Sequence, residues 1–163
     1  MTKQFNIVKT VNQIGDEVDL VLEKRRKGKY FETIILLYSL IENLLKWALF
    51  IKIIWRKSDR VLQEEEVGKL RSFCRKSDFY TALNTALSLD LIDLNLYKNI
   101  DKVRKERNDV IHQLWIYENR RNSVVLRKTL ERLTRVARQL AKTTSELTDE
   151  VGLEEIYKVT LRG

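Results

Sequence analysis

Apolar residues recur at helical spacing along most of the chain, and the polar residues gather into narrow seams. Over residues 5–27, Phe5, Val8, Val11, Ile14, Val18 and Leu22 mark an imperfect apolar face. This predicts a first helix whose basic end, Lys24 to Lys27, suits a C-terminus, with Gly28 as its stop. Residues 29–54 are apolar nearly all round, except for a seam of Ser39, Glu42, Asn43 and Lys46. Such a lopsided helix belongs inside a bundle. Glu42, Asn43, Lys46 and Lys52 interrupt it too often for the charge-free part to span a membrane. Residues 55–63 read as a polar connection, 64–74 as a third helix, and Asp78 as the N-cap of a fourth through Leu89, carrying Phe79, Leu83, Ala86 and Leu87. The run LSLDLIDLNL alternates like a strand, yet no second strand exists to pair with it, so it reads as a helix end and a loop. Asp93 or Asn95 then caps a fifth helix.

After a turn at 118–122, residues 123–147 predict a sixth helix with Val125, Leu126, Leu130, Leu133, Val136, Ala137 and Leu140 facing inward. The expected fold is all-α: one domain over 1–163, an antiparallel helical bundle of about five to six helices. Its core covers about 5–147, and 148–163 form a tail that docks on the bundle or on a partner.

The fifth helix breaks its own pattern. With Ile100 as zero and about 100° per residue, Val103, Val110, Ile111 and Leu114 share one stripe, and Arg107 falls at about 340°, in its centre. A guanidinium cannot shed its proton to escape burial, so it must be paired, reach solvent through a cleft, or lie at an interface. Glu42, on the border of the seam in the second helix, is one partner; the plainer alternative is that Glu42 forms only an i,i+4 pair with Lys46. Asn108 and His112, the chain's only histidine, follow one above the other along the edge of the stripe, in a row that begins with Arg104.

Composition changes this picture in three ways. The 163 residues include no proline and five glycines, which favours long uninterrupted helices. A single cysteine, Cys74, excludes an intramolecular disulfide framework and a cysteine-based zinc site, and fits a reducing, cytoplasmic setting. The net charge of +8 attracts polyanions, either nucleic acid or an acidic protein. That charge is concentrated: Arg120, Arg121, Arg127, Lys128, Arg132, Arg135, Arg138 and Lys142 face a single acid, Glu131. A solvated helix face and a nucleic-acid surface, with Arg127, Lys128, Arg132, Arg135 and Arg138 as its contacts, are both open readings.

Chemistry centres on the fifth helix. Imidazole exchanges protons near neutrality, and an arginine supplies rigid donors to a phosphoryl group whose charge grows in the transition state. Those two functions suffice to cleave RNA through its own 2′-hydroxyl. One histidine per chain performs both proton transfers only if two subunits contribute or another group takes the second, which points to a dimer. No ligand spacing for a metal, no glycine-rich phosphate loop and no nucleophile elbow accompany them, so no cofactor is expected.

Arg107-Asn108-x-x-x-His112, late in an all-helical chain, resembles the signature of the HEPN superfamily (higher eukaryotes and prokaryotes nucleotide-binding domains). The resemblance implies a dimerising helical bundle in which two motifs share one cleft. It implies metal-independent endoribonuclease activity, used as a toxin held in check by a partner nucleotidyltransferase-type antitoxin or in antiviral defence. Arg107, Asn108 and His112 take the places of the motif, and Glu42 that of the acidic residue supporting the arginine. On this reading Arg107 holds the scissile phosphate, His112 transfers protons, and Asn108 orients the substrate. Arg104 and the basic helix steer the backbone, with Trp115 and Tyr117 available for stacking. The residues leave two other readings open: a non-catalytic nucleotide-binding or protein-interaction module, and a plain structural ion pair between Arg107 and Glu42.

Overall fold

The computed structural model describes residues 16, 19, 27–57, 64–112 and 123–151. They form five helices and no strand: α1 (Lys27–Arg56), α2 (Glu64–Lys76), α3 (Phe79–Ser88), α4 (Leu94–His112) and α5 (Ser123–Val151). The fold is an all-α antiparallel bundle. The predicted helix over 5–27, the turn at 118–122 and the tail beyond 151 lie outside the described residues, apart from residues 16, 19 and 27.

α1 is the axis of the bundle because it is apolar on nearly every side. Leu37, Tyr38, Ile41, Leu45, Leu49 and Ile51 are buried almost completely. Residues 30–56 are long and apolar enough to cross a membrane by length and composition, and 61% of the apolar window is buried inside the bundle. α5 packs along α1 in the most extensive contact of the fold, α2 and α3 cover other flanks, and α4 bridges α1, α3 and α5. The inward residues of α5 are those its periodicity selects, Leu126, Leu130, Leu133, Val136, Ala137 and Leu140. At about 1.5–3 kcal/mol for each large apolar side chain fully buried, this seam is the main source of stability.

Three details differ from the expectations. Gly28 is not a stop: it is the second residue of α1. The first-turn N–H groups of a helix lack intrahelical acceptors anyway, and burial of Tyr30, Thr33 and Ile34 immediately downstream fixes the turn. Val125 is exposed, because the helical phase that buries Leu126 turns its neighbour outward. α5 also continues through Val151, so residues 148–151 extend the helix and do not begin a separate tail.

The alternating run after α3 is a helix end, as its lack of a strand partner suggested. Leu91 N–H donates to the Ala86 carbonyl at 2.9 Å and Asp90 N–H to that of Leu87 at 3.1 Å, the paired bonds of a Schellman cap. Asp90 takes the left-handed conformation there, at φ 52°. Arg56, the last residue of α1, donates to the Leu89 carbonyl at 3.1 Å and so helps close the same end. At the other end of α3, Asp78 accepts from Thr81 N–H at 2.9 Å and from its hydroxyl at 2.6 Å. Asp93, not Asn95, caps α4: its carboxylate accepts from Leu96 N–H at 2.7 Å. These caps set the start and phase of α4, and hence which of its residues meet α1.

Candidate functional site

α4 buries Ile100, Val103 and Val110 against the bundle, and Arg107 lies on the same stripe. Its guanidinium is not left in the core. Arg107 Nη1 donates to Glu42 Oε2 at 2.5 Å, joining α4 to α1. The pair sits at the edge of the apolar seam, with side-chain exposures of 28% for Arg107 and 15% for Glu42. Lys46, one turn after Glu42, donates to the other carboxylate oxygen at 2.7 Å. The two partners considered for Glu42 from sequence are therefore present together, one on each oxygen. Lys46 Nζ also reaches the Arg75 carbonyl at 3.4 Å, near the end of α2.

One anion held between two cations gives the site an electrostatic character. The carboxylate is satisfied on both sides and fixes the arginine by a charge-assisted bond. Two positive groups around one negative group leave a local excess of positive charge in a partly desolvated position, where Coulomb interactions are stronger than in bulk water.

The other residues of the motif are placed less closely together. Asn108 is exposed, next to Arg107. α4 remains helical through His112, so residues 104, 108 and 112 stay in register on one side of the helix; the His112 side chain lies outside the described residues. Arg104 is turned to local partners. Its Nε and Nη2 donate to Asp101 Oδ1 at 2.9 and 2.7 Å, and its guanidinium lies 4.9 Å from the centre of the Tyr80 ring. Lys105 holds the second Asp101 oxygen at 2.7 Å. Burial alone would push the Asp101 carboxyl up, but the hydrogen bonds from Lys105 and Arg104 outweigh it and hold the group below the usual carboxylate range. Tyr97 donates to Asn84 Oδ1 at 2.9 Å, completing a polar strip between α3 and α4.

The basic helix is divided by its pairing. Arg132 points to the α4 junction, where Nη2 pairs with Glu106 and Nε is buried without a partner among the described residues. It is a strut between helices. Arg127 pairs with Glu131 at 3.0 Å and Arg138 meets Asp19 at 3.7 Å. Lys128 and Arg135 are exposed and form no ion pair among the described residues. Trp115, Tyr117, Arg120 and Arg121 lie outside the described residues.

Asp101 is a partner that sequence reasoning missed, although the i, i+3 and i+4 spacing of Asp101, Arg104 and Lys105 carries the signal that would have found it. Glu106 carries no such signal, because its partner is 26 residues away. Burial pushes the Cys74 thiol up to about 11, only partly offset by a backbone hydrogen bond, so near neutrality it stays a protonated core group. Among the described residues, no group of three or more His, Cys, Asp or Glu side chains is arranged to hold a metal ion. Comparison with known proteins gives no match: no family profile, no curated protein and no solved structure is significantly similar to the chain.

Proposed function

We propose that the protein is a metal-independent endoribonuclease centred on α4. The observation that supports this most is the anchoring of Arg107 by Glu42 at the margin of the core. A carboxylate fixes the guanidinium, part of the side chain remains accessible, and the motif's Asn108 and His112 follow on the same helix. In this reading Arg107 binds a non-bridging oxygen of the scissile phosphate, and Asn108 orients the neighbouring nucleotide. A base takes the proton of the ribose 2′-hydroxyl, whose oxygen forms a bond to phosphorus. The bond from phosphorus to the 5′-oxygen breaks, and an acid protonates that oxygen as it leaves. His112 supplies one proton transfer. A second copy of the chain supplies the other from its own histidine, which makes a homodimer the active species. Restraint by a nucleotidyltransferase-type antitoxin, and a role in defence, follow from the family resemblance alone.

A second reading is favoured by one feature. Both oxygens of Glu42 are taken by cations of the chain itself. A cluster so complete also suits a structural junction in a non-catalytic nucleotide-binding or protein-interaction module.

The test compares wild type, Arg107→Ala and His112→Ala on mixed cellular RNA in EDTA, once circular dichroism shows all three folded. Cleavage by the wild type and its loss in both variants is the expected result. Intact RNA with folded wild type across pH, salt and protein concentration rejects the nuclease, as does undiminished cleavage by His112→Ala.

A further inference from the structure

A groove of about 440 Å³ beside α5 is lined by Asp19, Glu131, Thr134, Arg135, Arg138, Gln139 and Lys142. None of these residues belongs to α4, so the groove is separate from the Arg107–Glu42 pair; where its ligand is a nucleic-acid backbone, the inference rests on the ribonuclease reading, which already uses Arg135 and Arg138. Its size falls within the range of small-molecule sites.

Two independent features indicate what it holds. The first is charge. Three cations line it, and its two acids already have partners: Glu131 is held by Arg127 at 3.0 Å, and Asp19 meets Arg138 at 3.7 Å. Lys142 is only loosely engaged, by Glu146 at 3.6 Å, and Arg135 forms no ion pair among the described residues. The second feature is a hydroxyl out of place. Thr134 is only 8% exposed, and its Oγ1 is buried without a hydrogen-bond partner among the described residues. A buried threonine in a helix ordinarily donates to the carbonyl one turn back. Thr144 does so on this same helix, to Leu140 at 2.7 Å. Leaving such a group unsatisfied leaves its desolvation cost uncompensated, which calls for a reason.

We infer that this groove is a phosphate-binding site, in which Arg135, Arg138 and Lys142 hold a phosphate group, Gln139 supplies a neutral hydrogen bond, and the Thr134 hydroxyl gains a partner by turning about its Cα–Cβ bond toward the anion. Arginine suits this task because its planar fork matches phosphate oxygens. The loose pairs at 3.6 and 3.7 Å rearrange at little cost when an anion enters, since exposed ion pairs contribute little. The phosphate is either the terminal group of a small ligand or a phosphodiester of a nucleic-acid backbone.

Inorganic pyrophosphate and a short single-stranded oligoribonucleotide, titrated separately into the full chain at low salt, distinguish these sources. Saturable binding of pyrophosphate identifies a terminal phosphate; binding of the oligoribonucleotide alone identifies a backbone. Arg135→Gln/Arg138→Gln is expected to weaken binding by about tenfold or more, whereas Arg71→Gln/Lys76→Gln, with the same loss of charge on the exposed face of α2, changes it less than about threefold. Thr134→Val is expected to weaken binding about threefold without lowering the Tm. Failure of both probes to bind, or equal losses in the two double variants, overturns the site. A raised Tm with intact binding in Thr134→Val removes the hydroxyl from it.

Discussion

Arg107 and the exposed arginines of α5 contribute alike to the formal charge, but they are built into the molecule in opposite ways. Arg107 is held from another helix, 65 residues away in sequence, by a carboxylate that is itself bound by Lys46. On α5, Arg127 and Lys142 use acids four residues away on their own helix, and Lys128 and Arg135 use none among the described residues. The first arrangement is partly desolvated and joins two elements of the fold. The second is bathed in solvent and leaves the fold indifferent to it. Positive charge is therefore a structural commitment in one region and an available resource in the other.

Glu42→Ala should break that contrast most strongly. It leaves two cations, Lys46 and Arg107, without their shared anion in a partly buried position. The expected loss in urea denaturation is about 2 kcal/mol, below the full cost of a sealed pair because Arg107 is 28% exposed. The double variant Glu42→Leu/Arg107→Met should lose less than Glu42→Ala, since the orphaned guanidinium goes with its partner. Equal losses in the two variants would show that the junction is held by packing and not by charge.

Glu106→Ala sharpens the comparison from the α5 side. Arg132 is the member of that helix built like Arg107: it pairs across to α4, and its Nε is buried without a partner among the described residues. Removing Glu106 should cost about 1–2 kcal/mol in the same assay. A loss near zero would return Arg132 to the solvated face.

The division between the regions explains what could be read from sequence. Arg107 was visible because its conflict is local: a single charged residue on the apolar stripe formed by Ile100, Val103 and Val110 demands a partner. Glu42 was identifiable because it borders the seam of the one helix buried on nearly every side. The helices were legible for a similar reason, since their apolar period is strong and the caps at Asp78 and Asp93 are sequence-local. Arg132 was misread as surface because nothing within a turn of it reveals Glu106. Gly28 misled because its usual meaning at a helix end was opposed by tertiary burial just beyond it. Thr134 gave no sequence signal at all: whether a threonine donates to its own helix depends on a side-chain torsion, not on spacing.

A smaller effect appears with pH. Asp101, held below the usual carboxylate range by Lys105 and Arg104 against the opposing effect of burial, stabilises the folded state when ionised. The sign follows from the depression: this contribution is fully present above the unfolded carboxyl's pKa, near 4, and is lost as pH falls through the lower folded value. Asp78, lowered by its hydrogen bond from the Thr81 hydroxyl, acts in the same direction. Asp101→Asn should therefore flatten the acid side of a stability-against-pH curve between about pH 5 and 2 and leave its slope above pH 6 unchanged. An unaltered acid limb would mean that Arg104 and Lys105 hold Asp101 no better in the folded chain than in the unfolded one.

The smallest change belongs to the outer pairs of α5, and its smallness is the point. Glu146→Gln removes the partner of Lys142, at 3.6 Å and with both side chains more than half exposed. Water and salt already screen such a pair, and ordering two flexible side chains offsets most of its attraction. The expected change in stability is within about 0.5 kcal/mol of zero, vanishing in high salt. The same substitution frees Lys142 in the groove, so phosphate affinity should rise slightly at low salt while the Tm stays fixed. A fall in stability comparable to that of Glu42→Ala would mean that Lys142 is committed to the fold, and would place both regions in one class.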